Sequence, residues 1–189
     1  MSLTVSFALQ EQDLDYFRSI MQKTHSSVTQ LSQEQILASA KSLANAVEQQ
    51  VPAFVAERLA KLRTLIALVE DVEWDLTGEE KSEVLAALAY FAKPQDLIAD
   101  HVPVLGFLDD AIMIELVARS LEDDLQAYSD FCQFRSAEIA RRGAEAHTSK
   151  ADWLEAKRQE LHSWMRRRRT ERRSGSGGGG FRSVFSFRG

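Results

Sequence analysis

Apolar side chains recur at three- and four-residue spacing along most of this chain. The clearest stripe consists of Val55, Leu59, Leu62, Ile66 and Val69. Alternating steps of four and three residues keep such a stripe on one side of a helix, where it can face a core. Similar stripes predict helices over residues 10–25, 33–50, 77–91, 111–134 and 150–173. The pattern therefore predicts an all-α protein.

Short polar signals predict where some of these helices begin and end. Ser32 with Gln35, and Thr77 with Glu80, have the spacing of a capping box. In that motif the two side chains satisfy backbone N–H groups that the first helical turn leaves unpaired. Pro94 removes a backbone donor and clashes with the preceding turn, so the helix before it must end. That helix is apolar on nearly every side, which predicts deep burial.

Composition agrees with a helical fold. Of 189 residues, 44% are hydrophobic and three are proline, which is enough apolar content for a sizeable core. The single cysteine, Cys132, excludes a disulfide within the chain. We expect a compact multi-helix bundle over residues 10–135, a helical C-terminal extension over 150–173 and a disordered, glycine-rich tail over 174–189. No apolar stretch reaches the ~20 residues of a transmembrane helix, and we expect a cytoplasmic protein that either is free or lies peripherally at the membrane.

Charge is distributed unevenly along the chain. From residue 166 onward there are eight arginines and one glutamate, whereas the first 165 residues hold 15 basic and 27 acidic side chains. An acidic body is poorly suited to binding nucleic acid. The basic end of the chain is therefore the segment suited to phosphates or anionic lipid.

The stretch from residue 94 to residue 110, PQDLIADHVPVLGFLDD, is the most unusual in the chain. It resembles the signature PxDxIPDxxPxxGxxDD of the YkvA-like family, which are domains of unknown function. The matching residues are Pro94, Asp96, Ile98, Asp100, Pro103, Gly106, Asp109 and Asp110. Ala99 stands where the family usually has a proline. The resemblance implies a helical domain with its core at about residues 77–134, and it assigns no reaction.

Two interpretations fit the four aspartates of this stretch, which are Asp96, Asp100, Asp109 and Asp110. In the first they are helix caps, with Asp96 capping a short turn and Asp109 capping a helix that starts at Ala111. The chain between them would be shaped by Pro94, Pro103 and Gly106. In the second they form an oxygen-only site for Mg²⁺, Mn²⁺ or Ca²⁺, with His101 as a further candidate ligand or base.

The arginine run near the end of the predicted extension suits attachment to an anionic surface. Its first members are Arg166, Arg167, Arg168 and Arg169. Each basic residue close to anionic lipid contributes about 1 kcal/mol. Trp153 and Trp164 precede the run, and either they insert at the headgroup level or they pack on the body. Nucleic acid is an alternative partner for the same arginines.

The last segment, FRSVFSFRG, alternates aromatic and basic positions after a glycine-rich linker. Such a segment is either disordered or a peptide that enters a groove, because an all-helical body offers no sheet edge. We expect a non-catalytic interaction or membrane-peripheral module that binds a protein partner or an anionic membrane surface. The alternatives are a metal-binding protein or metal-dependent enzyme that uses the aspartates, and a nucleic-acid-associated factor that acts through the tail.

Overall fold

Seven α-helices make up most of the chain that the computed structural model describes, which is residues 8–28, 31–46, 51–92, 107–143 and 150–175. In chain order they are α1 (Glu11–Val28), α2 (Gln33–Ala46), α3 (Ala53–Glu70), α4 (Gly78–Leu88), α5 (Leu108–Ser120), α6 (Glu122–Arg142) and α7 (Lys150–Gly175). A 3-10 turn, Ala89–Ala92, follows α4 directly. These ranges contain no strand, so the predicted all-α fold class is confirmed. The predicted tail lies outside them from residue 176 onward.

The apolar stripes of α3, α4 and α5 form the centre of the core. Their fully buried side chains include Leu62, Leu65, Leu68, Val84, Leu88, Met113 and Ile114. Each such side chain contributes about 1.5–3 kcal/mol by leaving water. α3 packs along α5, and α2 packs against α3 and the 3-10 turn. Tyr90 and Phe91 in that turn are buried, as the all-round apolar pattern predicts.

The C-terminal helix α7 packs on α6 and contributes to the same core. Leu154, Leu161 and Met165 of α7 are buried, and the two tryptophans Trp153 and Trp164 are half-buried against the core. The sequence left open whether these tryptophans insert at the headgroup level of a membrane or pack on the body. In the structure they pack on the body. The division into a domain of residues 10–135 and an extension of residues 150–173 stays a prediction.

Among the described residues, none of the helices combines the length and apolar character needed to cross a membrane.

One predicted helix is divided in two. The apolar stripe predicts a continuous helix from Ala111 to Phe134, but α5 ends at Ser120 and α6 begins at Glu122. Leu121 at the junction has φ −110° and ψ 25° and is buried. No proline or glycine requires this break. The break allows α5 to pack on α3 while α6 packs on α7.

Of the two predicted capping boxes, one is confirmed and one is wrong. The backbone N–H of Ser32 donates to Gln35 Oε1 at 2.9 Å, and the N–H of Gln35 donates to Ser32 Oγ at 3.3 Å. Thr77 occupies the cap position of α4, but its side chain makes no capping hydrogen bond. Glu80 instead accepts a hydrogen bond from Arg166 of α7 at 2.7 Å. A charged partner from a distant helix has replaced the local cap.

Candidate functional site

Most of the signature stretch lies outside the described residues. The predicted cap, turn and metal positions that fall there are Pro94, Asp96, Asp100, His101, Pro103 and Gly106. Asp109 and Asp110 are described, and they lie in the first turn of α5 with 5% and 6% exposure. Because α5 begins at Leu108 with Phe107 at its cap position, the prediction that Asp109 caps a helix from Ala111 is wrong. Both charges still complement the positive end of the helix dipole.

The divalent-cation site stays a prediction. Within the described ranges, no three His, Cys, Asp or Glu side chains come together as metal ligands would. Two of the four predicted ligands, Asp96 and Asp100, are not among those residues. Asp109 and Asp110 bring two buried carboxylates to the end of the signature stretch.

Four arginines of α7 pair with acidic side chains of α4 and α6, and we call this set the arginine clamp. Its basic members are Arg166, Arg168, Arg169 and Arg172, and its acidic members are Glu80, Glu83, Asp123 and Asp124. Steps of three and four residues keep these arginines along one side of α7. The two glutamates lie one helical turn apart on α4, and the two aspartates lie in the first turn of α6.

Arg169 is at the centre of the clamp. Its Nη1 atom lies 2.5 Å from Glu83 Oε2, and its Nη2 atom contacts Asp124 Oδ1. The side chains of Arg169, Glu83 and Asp124 are 14%, 10% and 3% exposed, respectively. Charges this far from water are tolerated only when they are paired and hydrogen-bonded. Arg169 therefore neutralises two carboxylates that the fold has removed from solvent.

The remaining clamp arginines lie closer to solvent. Arg166 pairs with Glu80 at 2.7 Å, Arg172 pairs with Asp123 at 2.9 Å, and Arg168 lies 3.5 Å from the same aspartate. Their side chains are between 42% and 60% exposed. Ion pairs at such exposure contribute about 0–1 kcal/mol each. The rim of the clamp is therefore much weaker than its centre.

Burial and charge act in opposite directions on the clamp acids. Burial raises the pKa of Asp124 to about 6, against the attraction and the hydrogen bond of Arg169. Burial also tends to raise the pKa of Glu80, but there the hydrogen bond from Arg166 prevails and the pKa is lowered below its ordinary value. Asp124 is the more deeply buried of the two. The centre of the clamp is thus the place where a negative charge is hardest to maintain.

Docking largely neutralises the arginine run. Arg166, Arg168, Arg169 and Arg172 pair with five acids of α4 and α6, which are Glu80, Glu83, Glu122, Asp123 and Asp124. Arg167 is exposed, and no ion pair within the described ranges involves it. The docked surface therefore has little surplus positive charge. The anchor role predicted for Arg166, Arg167, Arg168 and Arg169 stays a prediction.

One segment of the chain matches a known family. It begins at Glu80, includes the whole signature stretch and ends at Leu116 in α5. This segment matches the family "Protein of unknown function (DUF1232)". The match confirms the recognition of a domain of unknown function, and the YkvA-like resemblance is consistent with it. Searches of curated proteins and of solved structures each found no match.

The DUF1232 segment holds two different groups of acids. Glu80 and Glu83 at its beginning face α7, whereas Asp109 and Asp110 near its end are buried at the start of α5. The sequence pattern assigned Glu80 to a capping box and did not single out the other clamp acids, because acids at such positions usually face solvent or cap a helix. The available signal was the opposite charge of the acidic body and the arginine run, which attract each other within one chain.

A second polar centre lies where the connection between α3 and α4 meets α6. Asp71 Oδ2 accepts a hydrogen bond from the Tyr128 hydroxyl at 3.0 Å and pairs with Arg135 at 2.8 Å. Asp71 Oδ1 accepts the backbone N–H groups of Glu73 and Trp74. Burial tends to raise the pKa of Asp71, but these hydrogen bonds, led by that of Arg135, lower it. This centre fixes the turn that holds Trp74 fully buried.

Proposed function

We propose that this protein is a non-catalytic interaction module whose basic helix α7 exchanges between the body and an anionic membrane surface. The arginine clamp carries the proposal, because it matches an arginine-rich helix to an acidic face of the same chain. α7 also presents Leu154, Leu161 and Met165 on one face, with a tryptophan near each end of that stripe. Arginines combined with an apolar, tryptophan-bearing face are typical of helices that lie in a membrane interface.

Opposing contributions set the placement of α7. Withdrawing α7 exposes Leu154, Leu161 and Met165, which costs about 6 kcal/mol at ~2 kcal/mol each, and it also uncovers Trp74 and breaks the ion pairs of the clamp. Six arginines near anionic lipid contribute about 6 kcal/mol before screening. The apolar face also regains part of its burial in the interface. The density of anionic lipid and the strength of the clamp therefore decide which placement is populated.

The clamp also supports a binding role over a catalytic one for the described acidic face. Glu83, Asp123 and Asp124 are buried, and each lies beside an arginine of α7. A general base must reach its substrate with a free lone pair. Carboxylates held in this way meet that requirement only after α7 has left.

Sedimentation with vesicles that contain phosphatidylserine tests the exchange. Replacing Arg166, Arg167, Arg168 and Arg169 by glutamine should release the protein, and lysines in their place should largely keep it bound. Glu80→Gln combined with Glu83→Gln retains every arginine but removes the two carboxylates of α4 that pair with Arg166 and Arg169, so it should have the opposite effect. If this variant loosens the clamp by about 1.4 kcal/mol, vesicle binding tightens about tenfold. Vesicles of neutral lipid give the reference.

Glu34→Gln combined with Glu70→Gln is the matched control. It removes two negative charges from α2 and α3, and Glu70 pairs with Lys41 instead of with α7. Equal tightening by the control and the clamp variant would mean that net charge explains the binding. Equal sedimentation of the wild type and the four-glutamine variant would eliminate the membrane proposal. Tighter binding to RNA than to vesicles would favour the nucleic-acid alternative.

A divalent-cation role is the second candidate, because Asp109 and Asp110 place two adjacent, buried carboxylates at the end of the signature stretch. With Asp96 and Asp100 they would supply the oxygen ligands that Mg²⁺, Mn²⁺ or Ca²⁺ prefers, for binding or for a metal-dependent reaction. Each cation should raise the melting temperature of the wild type but not that of Asp109→Asn. Asp130→Asn, on α6, is the control that should respond like the wild type. A wild type that responds to none of the three cations would remove this candidate.

A further inference from the structure

An apolar groove of about 390 Å³ lies between α1, α3 and α5. Its apolar lining consists of Leu9, Leu14, Phe54, Leu108, Ile112 and Leu116. Phe54 remains 39% exposed, although large aromatic side chains dominate the interiors of proteins. A concave surface with this lining suits the apolar side chains of a bound peptide. None of the lining residues belongs to the clamp.

We infer that this groove is the docking site for the phenylalanine-rich segment 181–188 of the same chain. In an extended segment, Phe181, Ser183, Phe185 and Phe187 share one face, and the residues between them share the other. The aromatic face matches the apolar lining. Residues 181–187 span roughly 20 Å when extended, and the 13 residues of α5 also span about 20 Å. The segment can therefore lie along the whole of α5.

The end of α7 places the start of this segment near one end of the groove. Arg172 lies 3.8 Å from Glu122, the first residue of α6. Arg119, which lines the groove, is in the last turn of α5 just before Glu122. The linker of residues 176–180 contains only serine and glycine, and five such residues span about 12 Å on average. The segment therefore starts a short tether away from the end of α7, whose Arg172 reaches the first residue of α6 beside the Arg119 end of the groove.

The apolar contacts, and not the charges, are what suit the groove to the segment. The segment contains Arg182 and Arg188 and no acidic residue. The polar part of the lining is Arg58, Glu115 and Arg119, and the exposed acids of the flanking helices are already paired, Glu11 and Asp15 with Arg18 and Glu57 with Arg58. With the phenylalanines in the groove, the arginines of the segment lie on its opposite face, toward solvent. The phenylalanines therefore carry the binding.

The tether favours this occupant over a free peptide. A short flexible linker holds a tethered segment at an effective concentration of about a millimolar, so even weak binding is populated within one chain. The competing occupants are a second copy of the chain and residues 1–7, which precede Leu9 in the sequence. The experiment must separate all three.

Disulfide trapping in the full-length chain tests the inference. In a Cys132→Ser background, Ile112→Cys places a thiol in the groove and Ser183→Cys places one on the aromatic face. Val184→Cys, on the opposite face, is the matched control. We expect an intramolecular disulfide that forms about tenfold faster with Ser183→Cys than with Val184→Cys, because only the first brings the two Cβ atoms within bonding distance. Serine at positions 181, 185 and 187 should remove the difference.

Three results would overturn docking within the chain. A disulfide-linked dimer would assign the groove to a second copy. Equal rates for the two tail cysteines would mean that the tether alone brings the thiols together. Slow trapping that becomes fast after deletion of residues 1–7 would identify those residues as the occupant. The clamp variants leave the groove intact, so vesicle binding and disulfide trapping can fail independently.

Discussion

Two carboxylates of α6 are each held by arginine, yet their pKa values move in opposite directions. Glu138 accepts hydrogen bonds from Arg141 and Arg142 of its own helix at 2.7 and 2.6 Å, and these bonds lower its pKa to about 2. Asp124 pairs with Arg169 of α7, but burial raises its pKa to about 6. An arginine partner therefore does not determine ionisation alone. The loss of water around the carboxylate decides the sign.

The two pairs also depend on different levels of structure. Glu138 and its arginines are three and four residues apart, so they meet whenever that stretch is helical. Asp124 and Arg169 are 45 residues apart, and they meet only when α6 and α7 are packed together. The local pair reports on one helix, whereas the clamp reports on the whole fold. Stability measurements should separate them.

The largest expected effect is the loss of the central clamp arginine. Arg169→Met leaves Glu83 and Asp124 buried without their cation, which should lower the free energy of unfolding by about 3–5 kcal/mol. Arg141→Met in the local pair should leave it unchanged within error, because Arg141 is 64% exposed and Glu138 keeps its hydrogen bond from Arg142. Urea denaturation of the two variants measures the difference. A similar loss in both would mean that the clamp is no stronger than a surface pair.

The next effect is a pH dependence of stability. The pKa of Asp124 is about 6 in the folded protein and 3.8 ordinarily, so between these values the folded state binds the proton more readily than the unfolded state. Its contribution to stability therefore falls as pH rises from about 4 to 6 and is constant above that. Relative to Asp124→Asn, the wild type should lose about 3 kcal/mol over this interval.

The local carboxylate should behave in the opposite way. The pKa of Glu138 is lowered to about 2, so its contribution is complete at neutral pH and is lost as pH falls through the acidic range. Relative to Glu138→Gln, the wild type should lose stability on acidification.

The prediction for Asp124 has its own contradicting outcome. If the wild type gained stability relative to Asp124→Asn as the pH rises from 4 to 6, the attraction of Arg169 would outweigh burial.

A smaller effect is expected from neutralising the centre of the clamp completely. Glu83→Gln and Asp124→Asn, added to Arg169→Met, remove the buried charges that the single change leaves unpaired. The triple variant should be more stable than Arg169→Met by about 1–3 kcal/mol. Chemical denaturation of the single, double and triple variants measures the free energy of unfolding of each and so the coupling between the three positions. A triple variant less stable than Arg169→Met would show that the acids stabilise the fold without their arginine.

The smallest expected effect is that of salt. The Debye length shrinks to about 3 Å at 1 M salt, and exposed pairs are screened more than buried ones. Double-mutant cycles at low and high salt should show that the coupling of Asp124 with Arg169 persists while that of Glu138 with Arg141 disappears. Equal screening of the two couplings would indicate that water reaches the centre of the clamp.

Several features could be predicted from the sequence because they depend on neighbouring residues. The stripe of α3 and the cap formed by Ser32 and Gln35 are set by local periodicity and backbone chemistry. The break at Leu121 was not predicted, because continuous apolar periodicity hides it. The acids that follow Leu121 were its local signal, since acids favour the first turn of a helix.

The candidate site was only partly predictable, because its ion pairs join residues that are far apart in the sequence. The sequence indicated that an arginine run and an acidic body exist, and that four aspartates gather around the signature stretch. It did not indicate which acids the arginines would meet. Glu80 has the spacing of a capping residue, yet its partner Arg166 lies 86 positions away. No local pattern encodes a pairing of that length.

The sequence by itself determined the helical class, the amphipathic character of α7 and the similarity of residues 80–116 to a family of unknown function. Only the tertiary structure decided that α7 lies on α4 and α6, and that Arg169 is buried between Glu83 and Asp124. The physical reason is the separation along the sequence over which each relation acts. Helix periodicity is a relation between residues three or four apart, whereas burial and charge pairing depend on where whole helices come to lie.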